Sequence, residues 1–207
     1  MMKRIVLALG MASLALYGQS QKGGDSSSAA PGKQVSPSES VNALLGVVEG
    51  QMMDLVKAMP ADKYGFAPVA SIFAPSQRTE FAGVRTFGAL AIHVAQANYG
   101  LGATINGMKP DADVAALTSL KSKDQVVDAL TASFVFVHKA VDTLTPDNAF
   151  QSVRVPIPGM TRLTLASFIA AHASNEYGQM VEYLRMNGIV PPGTQKKQSI
   201  AVSELGK

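Results

Sequence analysis

The sequence predicts an all-α protein, a four-helix bundle with long loops after helices one and three. Three observations predict it. Four stretches of about 20 residues repeat apolar side chains at gaps of three and four, the period of one helix face. Each stretch is bounded by a capping residue, a proline or a glycine where a helix should start or stop. A strand-like alternation competes only at Ser152–Ile157, where a hairpin fragment could form.

Helix one should run from about Ser38 to Met59. Val41, Leu45, Val48, Met52, Leu55 and Met59 share a face, and Pro60 blocks continuation. Helix two should begin at Thr86 as N-cap, with a stripe of Leu90, Val94, Ala97 and Leu101. Asp113–Leu120 is a candidate short helix. Helix three should start at Ser122, with Gln125 completing a capping box. Its stripe is Val127, Leu130, Phe134, Val137, Val141 and Leu144, and Pro146 follows. Helix four should run from about Thr164 to Asn187, with Leu165, Ile169, His172, Glu176, Met180 and Tyr183 inward. Gly188 stops it and Pro191-Pro192 reinforce the stop. Four such stripes close on one another in an antiparallel-style bundle. Segments 60–85 and 145–163 exceed the usual helix–helix connection, so they should cap the bundle ends and shape any pocket.

The bundle should occupy residues 39–192. Before it, Lys3 and Arg4 precede the apolar run IVLALGMASLALY and the small, polar Gly18, Gln19 and Ser20. A positive start, a short apolar stretch and a small-residue exit describe a secretory signal peptide over residues 1–20. The run is too short for the roughly 20 apolar residues that cross a membrane. Residues 21–38 (QKGGDSSSAAPGKQVSPS) read as a flexible linker, and 193–207 as a tail. The expected location is periplasmic or secreted, with no stable membrane insertion after cleavage.

Composition narrows the chemistry. The 207 residues are 47% hydrophobic and 16% charged, which is neither fibrous nor globally disordered. With no cysteine there are no disulfides, thiolate metal sites, cysteine nucleophiles or lipid attachment through an N-terminal cysteine. The net charge of +3 comes from 18 basic and 15 acidic residues; removing Lys3 and Arg4 leaves 16 against 15, or +1. No basic stripe for phosphates is present, and Lys196-Lys197 lie in the tail, so nucleic acid is not an expected partner. A phosphate loop, a dinucleotide fingerprint and a Ser-His-Asp arrangement are all absent.

The polar residues inside the helices are the informative ones. His93 flanks the stripe of helix two and His138 that of helix three, while His172 lies within that of helix four. Glu176 follows His172 by one turn on the same apolar face, so their side chains lie about 6 Å apart. A carboxylate buried alone costs several kcal/mol. A cation, a protonated histidine, a proton of its own, or an ion pair with Arg154 or Arg162 could compensate it. A divalent metal shared by Glu176, His172 and a third residue would do so without an unpaired charge.

The segment HASNEYGQMVEYLRMNGIVPP (172–192) resembles the last helix of the DinB-like (DNA-damage-inducible, YfiT-like) four-helix bundle family. MPADKYGFAP (59–68) and RTFGALAIHVAQANY (85–99) resemble that family's first loop and second helix, and helix three matches in length and character. The resemblance implies a divalent metal held by one histidine of the second helix and two of the last. Carried onto this chain, the ligands are His93, His172 and Glu176, with glutamate where histidine is usual. A carboxylate still binds zinc, nickel, iron or manganese, and two histidines with one carboxylate form a known open ligand set. His138 has no counterpart among the family's ligands and could be a fourth ligand, a support for the ligands or core.

The resemblance also implies thiol transfer, thiol-dependent isomerisation or hydrolysis of a small-molecule substrate, and a homodimer. Export would separate the chain from a cytosolic thiol, which favours hydrolysis. Asn98, Tyr99 and Tyr177 are candidates to position a substrate. The alternative is a non-catalytic binding module that has lost the metal. DNA binding is suggested only by the family's historical name, and the near-zero charge of the mature chain opposes it.

Overall fold

In a computed structural model, residues 32–195 are described. The expected leader, residues 21–31 of the linker and residues 196–207 of the tail lie outside them. The chain divides after Gln34, and all the helices described here belong to the second unit. Among the described residues its four long α-helices are α1 (Pro37–Ala58), α2 (Phe87–Asn106), α3 (Lys123–Val141) and α4 (Arg162–Met186).

The helix starts follow local chemistry. Ser36 caps α1 and Ser122 caps α3, each in a capping box, with Glu39 and Gln125 respectively returning a side-chain bond. Thr86 caps α2 by accepting from the Ala89 amide, as its sequence position predicts. At α4 the expected start shifts by two residues. Thr161 is the N-cap and Thr164 its capping-box partner, because Thr164 is already held in helical geometry by its bond back to Thr161. Gly188, at φ 72°, supplies the left-handed turn that ends α4. The expected short helix at 113–120 is one 3-10 turn, Ala116–Ser119. The hairpin fragment contracts to a single antiparallel bridge between Ser152 and Thr161.

Each helix packs on two others: α1 and α2 each touch α3 and α4 and stand on a diagonal from one another. Directions follow from named contacts. The Lys123 ammonium, at the start of α3, donates to the Lys57 and Met59 carbonyls at the end of α1, at 2.7 and 2.8 Å. At the other end, His138 bonds to Asn42, so α1 and α3 are antiparallel. Asn98 of α2 bonds to Ser133 of α3, and Gly102, one turn on, meets Phe136 and Ala140, so these two run parallel. His93 pairs with His172, and Tyr183 bonds to the Arg85 carbonyl, so α2 and α4 are antiparallel. The bundle is therefore up-down-down-up. This corrects the antiparallel-style expectation: segment 107–122 carries the chain back along the bundle before α3 begins.

The parallel pair is close because Gly102 lacks a side chain there; a Cβ would sit 3.0 Å from the Phe136 ring. One core joins all four helices. The stripe of α1 is buried as expected from Val41 to Met59. In α3, Val126 is buried and Val127 only half-buried. In α2, Ala97 and Leu101 are half-buried, while Ala91, Ala95, Asn98, Tyr99, Gly102 and Ile105 join Leu90 and Val94 in the interior. The reason is that α2 meets α3 and α4 on two faces, so one narrow stripe cannot describe it. No described helix is long and apolar enough to cross a membrane.

Candidate metal centre

The seam between α2 and α4 gathers the polar residues of interest. Antiparallel packing brings His93, on the second turn of α2, level with the middle of α4. There His172 and Glu176 project one turn apart on the same face. The two Nε2 atoms lie 3.2 Å apart. The Glu176 Oε1 is 3.9 Å from each of them. All three donor atoms fall within 4.8 Å of one another.

Burial is graded across the group. The Glu176 side chain is 8% exposed, His172 18% and His93 31%. The carboxylate thus forms the floor, and the imidazoles form a partly open mouth. The other carboxylate oxygen is held: the Gln179 side-chain amide donates to Oε2 at 2.9 Å, and Asn175 makes a longer contact of 3.4 Å to Oε1. The Phe168 ring stands one turn before His172, 6.3 Å from its ring.

Burial and the neighbouring His93 hold the His172 imidazole below its ordinary pKa; Glu176 opposes them and Arg85 adds to the lowering. Its lone pair therefore stays free of a proton to a lower pH than in an exposed histidine, which suits a metal ligand. Tyr183 is pushed the other way, by burial and then by Glu176, and its hydroxyl donates to the Arg85 carbonyl at 3.1 Å.

The donor set fits a divalent ion. Two nitrogens each about 2.1 Å from a tetrahedral ion stand about 3.4 Å apart, close to the observed separation. The carboxylate needs to approach by only about half an ångström, within reach of its own torsions. An ion held by these three side chains alone would keep at least one coordination position open. Among the described residues no other group of three histidines and acids is so arranged.

Other candidates lie elsewhere. His138 is between α3 and α1, where its ring nitrogens contact Asn42 Oδ1 at 2.7 Å and Glu49 Oε2 at 3.0 Å. It is neither a fourth ligand nor a support of the other three. Asn98 and Tyr99 face α3: Asn98 bonds to Ser133, and Tyr99 packs on Phe136 with centroids 5.2 Å apart. Both are 1% exposed and serve the core. Tyr177 is half-buried, with its hydroxyl near Gly193. Among the ion pairs of the described residues, Glu176 meets the two histidines, not Arg154 or Arg162. The sequence reading missed Gln179, although its position three residues after Glu176 was a signal that the two side chains are neighbours.

A four-helix bundle with a His-His-Glu group in its α2–α4 seam is the class that fold and site define. The chain belongs to the DinB superfamily, whose family model matches residues 45–180. None of the curated proteins compared with it matches.

Proposed function

We propose that this chain is an exported metal-dependent hydrolase of the DinB superfamily, holding one divalent ion on His93, His172 and Glu176. The convergence of two imidazoles and a buried carboxylate, open to solvent on the imidazole side, is the observation that supports it. When bound, such an ion supplies Lewis-acid chemistry, polarising a carbonyl or lowering the pKa of a water or thiol beside it. The chain's own residues do the rest. His93 and His172 flank the opening, Glu176 contributes negative charge from below, and Phe168 offers an aromatic wall to a small organic substrate.

Hydrolysis is preferred to thiol transfer because residues 1–20 have the pattern of a secretory leader, and a periplasmic or secreted enzyme would be separated from cytosolic thiols. Expression of the full chain in a bacterium, followed by fractionation and N-terminal sequencing, should yield a periplasmic or secreted product beginning near Ser20. A product retained in the cytoplasm with Lys3 and Arg4 intact overturns export.

Elemental analysis of the purified protein, as isolated and after incubation with zinc, nickel, iron or manganese, tests the metal. About one ion per chain is expected from a three-ligand site. Uptake of none of these ions overturns the metal site and favours the alternative, a non-catalytic binding module.

A further inference from the structure

We infer that Gln179 is a positioning residue that makes Glu176 a one-oxygen ligand and so preserves the open position of the metal centre. The inference rests on the proposed metal site and adds the residue that sets its coordination number.

A carboxylate can offer one oxygen to an ion or both. In the first case three protein donors leave a position for substrate; in the second the carboxylate takes that position itself. The two oxygens of Glu176 are not equivalent here. Oε1 stands 3.9 Å from each imidazole nitrogen. Oε2 accepts a 2.9 Å hydrogen bond from the Gln179 side-chain amide. That bond takes one of the two lone-pair sites of Oε2 and biases the carboxylate plane, leaving Oε1 as the donor nearest both histidines. Asn175 contacts Oε1 at 3.4 Å, too long and too exposed to compete with a metal.

Gln179 is itself exposed, on the α4 turn after Glu176. The three-residue spacing on α4 brings its amide to the carboxylate, so the helix itself aims the donor at Glu176. Groups that hydrogen-bond a ligating side chain orient it, and their loss commonly weakens metal binding 10- to 100-fold.

Cobalt(II) tests this, because its visible absorption weakens as coordination rises from four ligands to five or six. The full chain and its Gln179→Met variant are titrated with cobalt(II), and both metal-free proteins are melted. Methionine keeps the length and helix propensity of glutamine but has no N–H. The variant should lose about 10- to 100-fold in cobalt affinity and show a weaker visible band, with the metal-free melting temperature unchanged. A variant matching wild type in affinity and band overturns the inference and leaves the metal site standing. A wild-type chain that takes up no cobalt overturns both. A variant whose metal-free melting temperature falls shows a structural role and overturns the inference.

Discussion

Glu176→Ala should reduce divalent-metal affinity by about a hundred- to a thousandfold. A structural ion held by four ligands contributes roughly 10–16 kcal/mol, or about 3 kcal/mol per ligand. Glu176 is the one anionic donor of the proposed set, and its neighbours His93 and His172 remain in place. The loss should appear in stability as well. At a metal concentration 100 times the wild-type dissociation constant, wild type gains about 2.7 kcal/mol, and the variant should gain no more than about 0.4 kcal/mol. Without metal the variant should melt close to wild type. Replacing the carboxylate removes a buried charge and leaves partly solvated imidazoles rather than an unpaired ion. Melting with and without zinc, together with elemental analysis, reads both effects. A Glu176→Ala protein that retains one ion per chain excludes this carboxylate as a ligand.

Phe134→Ala should cost about 3–5 kcal/mol. Phe134 is among the largest side chains of the core, is wholly buried, and sits in the middle of α3. Its removal leaves a cavity that the helices around it close only in part. Since small domains hold only about 5–15 kcal/mol in total, this one change is a large fraction. Val135 provides the control. It is the next residue in the helix but 47% exposed, so Val135→Ala should stay within about 0.5 kcal/mol. Urea denaturation of the two variants measures the contrast. Equal effects at 134 and 135 would mean that α3 does not present the face described.

Much of this architecture follows from local rules. The α1 stripe, the Ser122–Gln125 cap and the Thr86 cap are legible because each depends on residues within one or two turns. The pairing of His172 with Glu176 is legible for the same reason, since a four-residue spacing on a helix fixes their relative position. The resemblance to the DinB-like family supplied His93, which spacing alone could not distinguish from His138.

Helix direction was not legible. The segment between α2 and α3 has 16 residues, from 107 to 122, enough when extended to span about 50 Å. The helix it must pass is about 30 Å long, so the same linker could turn back or run alongside. Hydrophobic stripes do not choose between these, because a buried face is equally buried in either direction.

The sequence by itself therefore determined where the four long helices lie and most of the inward faces of α1, α3 and α4, through periodicity, caps and breakers, but not the two buried faces of α2. Only the tertiary structure decided that α2 lies antiparallel to α4 but parallel to α3. That arrangement brings His93 to His172 and Glu176, gives His138 to Glu49 and Asn42, and places Asn98 and Tyr99 in the core. The physical reason is that a side chain's role depends on which neighbour it meets, and this is fixed by packing between elements far apart in the chain.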